Sequence, residues 1–440
     1  MQYKPFTLNN FREIPQVEAL SLQKIRDIEV VGTVLPFRTN NYVVDNLIDW
    51  ECAETDPLFI ATFPQKGMLS PEDYHRVDTL LREGAGQEVI LRTVTEIRQK
   101  MNPHPAGQLE LNVPVLNGES LPGIQHKYRE TVLFFPSQGQ TCHAYCTFCF
   151  RWPQFVKGME DLKIASREID TLVEYLKSRP EVTDVLVTGG DPLVMKAGLL
   201  ARYIEPLLVL PGIRTIRIGT RSLSFWPYRY VTDDDAEELL TLFRRVREAG
   251  KHLAFMAHFN HPVELLPEIV PEAVRRIRET GAVIRTQSPL LRHINDSEAL
   301  WAQMWRRQVD MGCVPYYMFM ARDTGAQRYF SVTLQDAWRV YQGAFQAISG
   351  ICRTAEGPVM SALPGKVQVM GTATIGGDKV FVLRLVQGRN PDWADRPFFA
   401  AFDESAIWFN DLKPAFGEKE FFFNEELKAL LLTGETESEF

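Results

Sequence analysis

The sequence predicts an α/β protein, a partial (β/α)6 barrel with a helical and irregular N-terminal extension and a C-terminal α+β extension. Short apolar runs alternate with amphipathic helices between residues 132 and 320, which is typical of parallel strands covered by helices. Polar residues collect where each run ends, and α/β barrels build their active sites on that rim. The alternation alone fits a doubly wound open sheet equally well; the polar rim favours the barrel.

Residues 1–125 form the predicted N-terminal extension. The segment is rich in proline and irregular, with helical pieces. One helix is predicted to begin at Ser70-Pro71, because a capping residue is followed there by proline in the first turn. Residues 102–123 carry many turn-forming residues and predict a linker or a wrapping arm.

The barrel is predicted over residues 126–330. Its six apolar runs, expected to be strands, are 132–135, 184–190, 215–220, 253–259, 283–288 and 314–320. Helices are expected at 166–178 with Ser166 as its cap, at 235–249, from Pro271 to Gly281, and at 297–311.

Residues 331–440 form the predicted C-terminal extension, which begins with a helix near 333–347. The aromatic-rich segment 396–409 reads as strand, and we expect it to pack against the core or a subunit rather than bind a cofactor. The acidic tail 434–440 is expected to be frayed and solvated.

Composition excludes several classes of protein. The 440 residues are 45% hydrophobic and 24% charged, as in ordinary globular proteins. A net charge of −8 without a block of Lys and Arg argues against nucleic-acid binding. No stretch approaches the roughly 18 apolar residues of a membrane helix, and no secretory signal is visible at the N-terminus. We therefore expect a cytoplasmic protein with neither a membrane nor a nucleic-acid partner.

Cys142, Cys146 and Cys149 stand in the spacing C-x3-C-x2-C. Three thiolates this close can hold a [4Fe–4S] cluster by three corners and leave the fourth iron without a protein ligand. A structural zinc site normally takes four ligands, often in two cysteine pairs, and the sequence has no second pair. The other cysteines are isolated and are predicted to be buried as small hydrophobic residues: Cys52, Cys313 and Cys352.

The motifs of this region resemble those of the lysine 2,3-aminomutase family, whose members combine a radical S-adenosylmethionine (SAM) cluster with pyridoxal phosphate (PLP). The matching segments keep an unbroken order: IQHKYRETVLFF (124–135), CHAYCTFCFR (142–151), DVLVTGGDPLV (184–194), IRIGTRS (216–222), HFNHPVE (258–264), TQSPLLRHIND (286–296), PYYMF (315–319) and PGK (364–366). The resemblance implies a radical SAM barrel, in which the open iron chelates SAM and the reduced cluster cleaves it to a 5′-deoxyadenosyl radical.

The resemblance also implies site residues. The three motif cysteines would bind the cluster, with Tyr145 packed beside it. The residues of the SAM pocket would be Thr188, Gly189, Gly190, Asp191, His258 and Gln287. Glycine lets a backbone approach a ligand without a Cβ in the way. Taken by itself HFNHP (258–262) could be a His-x-x-His metal pair or a polar strand end, and we assign it no metal.

Lys366 matches the lysine that forms a Schiff base with PLP, a role that suits an amine whose pKa is lowered by desolvation. His126 and Arg129, with Lys127 between them, fall where relatives hold the PLP phosphate. The chain departs from its relatives at SALPGK (361–366), which has fewer glycines than the family's loop. Whether PLP is retained is therefore open.

Arg151 matches the arginine that pairs with the substrate carboxylate, since a guanidinium can form two parallel hydrogen bonds. Asp323 lies near the first of two aspartates that bind the distant ammonium of lysine. The position of the second falls in GPVMSA (357–362), which has no acid. α-Lysine is thus in doubt, and a shorter, neutral, acidic or larger amino acid is open. No cysteine follows Cys352, so we expect no C-terminal zinc site.

The sequence thus predicts a PLP-dependent radical SAM amino-acid 2,3-aminomutase, which shifts nitrogen from Cα to Cβ. Its partners would be an amino-acid substrate and an electron donor such as flavodoxin or ferredoxin; a homo-oligomer is open. One alternative is a radical SAM enzyme that works without PLP or modifies a protein lysine. Another is a non-catalytic Fe–S protein for electron transfer or sensing, which would have no use for the predicted SAM pocket.

Overall fold

The computed structural model describes residues 1–437, and of residues 433–437 it describes the backbone alone. The strands are β1 Pro5–Thr7, β2 Arg38–Asn40, β3 Val115–Leu116, β4 Glu119–Ser120, β5 Ile124–Tyr128, β6 Thr131–Phe134, β7 Asp184–Val187, β8 Thr215–Thr220, β9 His252–His258, β10 Val283–Leu290, β11 Val314–Met320, β12 Glu356–Ser361, β13 Gly365–Ile375, β14 Asp378–Gly388 and β15 Pro397–Ala401. The α-helices are α1 Leu22–Val34, α2 Asn41–Asn46, α3 Pro57–Thr62, α4 Pro71–Arg82, α5 Gln87–Lys100, α6 Ile169–Ser178, α7 Ala197–Leu208, α8 Ser222–Phe225, α9 Ala236–Glu248, α10 Ile269–Glu279, α11 Glu298–Asp310, α12 Gln327–Phe330, α13 Leu334–Gln346 and α14 Asn424–Glu437.

One large sheet organises the chain. Within residues 1–437, β5 to β15 form a sheet of eleven strands that keeps the order of the sequence. Strands β6 to β12 run parallel, and helices cross between them. The six predicted parallel strands are therefore confirmed. The structure adds a seventh, β12, and antiparallel strands on both sides of the parallel array.

The sheet curls into a partial barrel. In β8 and β10 every second residue is buried and the residues between are partly exposed, so one face packs under helices and the other lines an interior. Side chains join the two sides of the array. Lys127 Nζ on β5 donates to the carbonyl of Ala362, which follows β12, at 2.5 Å. Lys366 Nζ on β13 lies 5.5 Å from the ring centre of Tyr128 on β5. The partial barrel is thus confirmed, and the doubly wound alternative is wrong.

The N-terminal extension is a helical layer over the carboxyl-end rim of the barrel. Side chains of α1, α4 and α5, such as Val31, Val77 and Ile97, share one buried cluster with Trp152 and Leu291 from the rim. Ser70 caps α4 as predicted, since its Oγ accepts from the Asp73 amide at 3.1 Å. The layer therefore forms a wall of the rim.

Two local predictions need correction. Helix α6 begins at Ile169 and not at Ser166, because the Ser166 amide donates to the Phe135 carbonyl at 2.9 Å and keeps this residue in the loop beside β6. Cys313 and Cys352 are buried as predicted, whereas Cys52 is exposed. Cys52 closes a short 3-10 turn at the surface of the N-terminal layer, so it is no core residue.

The C-terminal strands extend the barrel sheet, so the C-terminal extension shares that sheet with the barrel. Its aromatic segment packs against the core as expected, since Phe398, Trp408 and Phe409 belong to the buried cluster of the barrel. The ring centres of Phe398 and Phe423 are 5.5 Å apart. The predicted frayed tail, 434–440, lies outside the residues whose side chains are described. Among the described helices, none combines the length and the apolar character needed to cross a bilayer.

Candidate functional site

The N-terminal layer holds the cysteine loop in place. The Tyr145 amide donates to the Arg38 carbonyl of β2 at 2.8 Å, and the Thr147 amide donates to the Ala61 carbonyl of α3 at 2.9 Å. The Tyr145 ring stacks on Phe155, with ring centres 4.4 Å apart. The stretch between the first and third cysteines is therefore fixed by backbone hydrogen bonds.

The three thiols of the loop are free, and burial raises the pKa of each, to about 12 for Cys149. Thiols in such surroundings stay neutral until a bound cation displaces their protons. Among residues 1–437 no group of three or more His, Cys, Asp and Glu side chains is gathered as a metal site. The donor chemistry of Cys142, Cys146 and Cys149 fits an iron–sulfur cluster, while their side chains as placed do not form a closed site.

Arg221 lies beside the cysteine loop and was not among the predicted site residues. Its Nη2 donates to Glu264 Oε1 at 2.5 Å, and its guanidinium carbon lies 3.9 Å from the ring centre of Phe225. Its Nε has no hydrogen-bond partner within the described chain. Its position at the end of β8, within the motif IRIGTRS, could have identified it as a site residue from the sequence. The guanidinium of Arg221 lies next to the thiols and lowers the pKa of Cys146, against the larger opposite effect of burial and the opposing charge of Glu264.

The turn Thr188–Asp191 packs against the cysteine loop. Gly189 has φ +144°, and a Cβ there would overlap Gln140; a Cβ on Gly190 would overlap the Thr141 carbonyl. The Asp191 amide donates to that carbonyl at 2.7 Å. The close approach of two protein segments thus requires both glycines, where the sequence suggested the approach of a ligand.

The Asp191 carboxylate is engaged inside the protein. It accepts from the Leu193 amide at 2.9 Å, from Thr220 Oγ1 at 2.8 Å and from the Arg221 amide at 2.9 Å. Burial raises its pKa even so. This side chain joins the end of β7 to the end of β8, so any contact of the turn with SAM would use its backbone.

His258 and Gln287 end up side by side because β9 and β10 are adjacent parallel strands. Gln287 Nε2 lies 2.7 Å from His258 Nε2. Burial lowers the pKa of His258 to about 3, and the positive charges of Arg221 and Arg151 lower it further. The imidazole is therefore neutral at pH 7 and accepts the hydrogen bond from the amide.

Arg151 lies between two aromatic rings, with its guanidinium carbon 4.4 Å from the ring centre of Phe135 and 5.0 Å from that of Phe150. Burial lowers its pKa to about 10, and Cys149 partly offsets this. Arg151 is charged at neutral pH, so it can pair with a carboxylate at the rim.

Lys366 enters the interior from β13, as the predicted role requires. Its Nζ donates to Gln387 Oε1 at 2.7 Å and lies 4.7 Å from the ring centre of Tyr317. Burial lowers the pKa of Lys366 to about 7. A lysine that is partly neutral at pH 7 is a nucleophile for a carbonyl carbon, which fits an aldehyde cofactor.

Lys127 stands next to Lys366. Its Nζ lies 5.6 Å from the ring centre of Tyr128, the ring that Lys366 also approaches. Burial lowers the pKa of Lys127 well below its usual value, and the charges of Arg389 and Arg322 lower it further. Several cations therefore meet beside Lys366, which suits a phosphate.

The structure does not bring His126 and Arg129 to this cluster. His126 Nδ1 lies 2.6 Å from the Tyr175 hydroxyl on α6, and its Nε2 lies 3.1 Å from the Arg129 carbonyl. Arg129 is exposed on the turn after β5. Neighbouring residues of a strand point to opposite faces, so His126 faces the helices while Lys127 faces the interior. Of the three residues predicted to hold the PLP phosphate, Lys127 is the one that faces the interior.

Asp323 lies at the rim, three residues after β11 ends at Met320, and its neighbour Arg322 is the nearest cation. Asp323 Oδ1 is 3.7 Å from Arg322 Nε, and neither atom has a hydrogen-bond partner in the described part of the chain. The carboxylate predicted to bind a substrate ammonium thus stands beside a positive charge.

One curated relative resembles this chain over most of its length, and others resemble it over about half. A putative L-lysine 2,3-aminomutase of Aquifex aeolicus is 29% identical over 397 residues, which cover 90% of this chain and 92% of that protein. The L-lysine 2,3-aminomutase of Fusobacterium nucleatum is 29% identical over 230 residues, about half of each chain: 52% of this one and 51% of that enzyme. The crystal structure of Streptococcus suis SuiB bound to precursor peptide SuiA aligns with a TM-score of 0.36 and 13% identity, over 65% of this chain and 61% of that one. No protein-family profile matches the chain.

Proposed function

We propose that this chain is a member of the lysine 2,3-aminomutase family, since relatives with that name are 29% identical to it. The protein is a radical SAM and PLP-dependent aminomutase that moves an amino group from Cα to Cβ of an amino acid. One observation carries the proposal. A buried lysine with a pKa of about 7, Lys366, and a loop of three free cysteines belong to one barrel, whose rim between them carries Arg151 and Arg322.

Three groups of residues would hold the cofactors. Cys142, Cys146 and Cys149 would bind a [4Fe–4S] cluster. The neutral His258–Gln287 pair and the backbone of the turn 188–191 would line the SAM pocket. When bound, SAM on the reduced cluster supplies a carbon radical and PLP a conjugated system that tolerates nitrogen migration. The electron comes from an external donor such as flavodoxin or ferredoxin.

The residues of the protein position the substrate and the cofactor and exclude water from the site. Arg151 pairs with the α-carboxylate of the substrate through its planar guanidinium. Lys366 presents an amine that is neutral in about half of the molecules at pH 7, given its pKa of about 7. Lys127 and Arg389 neutralise the cofactor phosphate next to it. The N-terminal layer over the rim keeps water from a reactive carbon.

Anaerobic reconstitution with iron, sulfide, SAM, PLP and dithionite tests the proposal. We expect PLP to give a visible absorbance band that Lys366→Ala abolishes, while cluster content and SAM binding stay unchanged. The exposed Lys419→Ala is the matched control and keeps the band. Replacing all three motif cysteines by alanine should remove the iron and the SAM cleavage. A protein that cleaves SAM but shows no band dependent on Lys366 would be the PLP-independent radical enzyme instead.

A further inference from the structure

Resting on the proposed function, we infer that the substrate is an amino acid with a carboxylate in its side chain, and that Arg322 binds this carboxylate. Arg322 follows β11 by two residues and so stands on the carboxyl-end rim. It is a specificity-determining residue, distinct from Arg151, which takes the α-carboxylate.

Arg322 and Arg151 share one aromatic ring. The guanidinium carbon of Arg322 lies 5.3 Å from the ring centre of Phe150, and that of Arg151 lies 5.0 Å from the same centre. Both distances fall within the cation–π range. Two guanidinium groups held on one ring make a double site for carboxylates, which a short dicarboxylic amino acid can span.

The Nε of Arg322 is enclosed by the protein but makes no hydrogen bond with the described residues. The side chain of Arg322 is 18% exposed. Asp323 lies at 3.7 Å without a hydrogen bond, and its own Oδ1 has none either within residues 1–437. A buried charge is costly unless it is paired and hydrogen-bonded. A planar carboxylate is the ligand that matches the guanidinium fork.

The other interior cations already have an assignment. Lys127 donates to the Ala362 carbonyl at 2.5 Å and lies on the Tyr128 ring with Lys366, so it belongs to the cofactor phosphate. Arg389 donates to Asn112 Oδ1 at 2.7 Å on the same side. Arg151 stands next to the third cysteine and takes the α-carboxylate. Arg322 remains as a cation whose anionic neighbour within the described residues, Asp323, makes no hydrogen bond with it.

A cationic substrate fits this rim poorly. The side-chain ammonium of lysine would enter a region with Arg151 and Arg322 nearby and Asp323 as its counter-charge. Like charges in a site screened from water repel strongly. A carboxylate at the same place is attracted by both guanidinium groups. The rim therefore selects acidic over basic side chains.

Equilibrium binding of a panel of amino acids to the PLP-loaded protein tests the inference without requiring turnover. The ligands are L-glutamate, L-aspartate, L-glutamine and L-lysine, and the readouts are calorimetric affinity and the shift of the PLP band. We expect glutamate or aspartate to bind at least tenfold more tightly than glutamine, and lysine to bind weakest. In Arg322→Gln the preference for the acid over the amide should vanish, while the PLP band persists. Arg322→Lys should keep part of this preference, because it retains the positive charge. This variant therefore distinguishes the effect of the charge from a folding defect.

Arg339→Gln is the matched control, because Arg339 is 74% exposed on α13 and its replacement should leave every affinity unchanged. Equal binding of glutamate and glutamine by the unaltered protein would overturn the inference. So would loss of the PLP band in Arg322→Gln, which would make Arg322 a phosphate ligand. In either case the band dependent on Lys366 and SAM cleavage would still stand for the proposed function. A protein without that band and without SAM cleavage would overturn both.

Discussion

At the scale of single residues, Lys366 carries a titration that can be measured. Burial lowers its pKa to about 7, and the nearby Glu356 carboxylate partly opposes the shift. The amine reacts with an aldehyde when it is neutral, so we expect PLP binding by the apoprotein to rise with pH through about 7 and to level off one to two units above. An ordinary lysine would need a pH above about 10. Absorbance of the PLP band against pH gives the midpoint.

Glu356→Gln supplies the internal check on this titration. Removing the carboxylate removes the interaction that favours the charged amine, so the midpoint should move to lower pH. The lowered pKa of Lys366 also affects stability. The unfolded chain keeps this proton up to about pH 10.5 and the folded chain loses it near pH 7, so the contribution of Lys366 to the free energy of unfolding should increase as pH rises from 7 to 10. A midpoint that stays near 10 would contradict the buried position of the amine.

The site could be predicted residue by residue only where a motif marks a chemistry. The cysteine spacing, the lysine after Pro-Gly and the polar ends of β9 and β10 all led to side chains that the structure brings to the barrel rim or interior. The sequence could not show whether His126 or Lys127 faces the interior, because the short polar strand β5 was not predicted. Neighbouring residues of a strand point to opposite faces, so the answer depends on the exact position of that strand. Arg322 could not be predicted as a site residue because its hydrogen-bonding state depends on neighbours that are distant in sequence.

At the scale of elements, β2 holds the cysteine loop through Asn40. Its Nδ2 donates to the His143 carbonyl at 3.1 Å and to the Phe225 carbonyl at 3.0 Å, and its Oδ1 accepts from the Val43 amide at 3.0 Å. Asn40→Ala leaves these buried groups unpaired, which typically costs about 1–3 kcal/mol. We expect a lower unfolding midpoint in urea and less iron bound per chain after reconstitution.

Asn41→Ala is the neighbouring control. Asn41 hydrogen-bonds only to exposed backbone at the N-terminus within the described chain, through the Lys4 amide and the Gln2 carbonyl. Its loss should change neither the urea midpoint nor the iron content by more than a small amount. If Asn40→Ala keeps as much iron as Asn41→Ala, the cysteine loop does not depend on the hydrogen bonds of Asn40.

The helices and parallel strands were predictable because their periodicity is regular. The strands of the C-terminal extension were harder. In β13, Gly365 and Gly371 interrupt the sequence pattern, and the pairing with β14 shifts register twice. Such irregularities follow from tertiary pairing and have no local signature, whereas β8 alternates buried and half-exposed residues from end to end.

At the scale of the whole molecule, the barrel is completed by side chains and not by a closed ladder of strands. Lys127 and Lys366 bridge β5 to the region of β12 and β13. Residues 105–123 run beside this closure. They make up most of the segment 102–123, which the sequence predicted to be a linker or a wrapping arm. The extensions and the barrel therefore share one interior, which no periodicity in the sequence could reveal.

Arg389 is the residue that fastens this arm to the end of the sheet. From the turn after β14 it donates to the Leu111 carbonyl at 3.3 Å, to Asn112 Oδ1 at 2.7 Å and to the Leu363 carbonyl at 2.9 Å. Arg389→Met keeps the aliphatic stem and removes all three bonds. Hydrogen exchange measured by mass spectrometry should then become faster in residues 105–123 and around Leu363, with protection of α4 unchanged. The same experiment on the exposed Arg339→Met should leave every segment as it was. Unchanged exchange in the arm would mean that other contacts fasten it, and faster exchange throughout the barrel would mean that Arg389 stabilises the sheet itself.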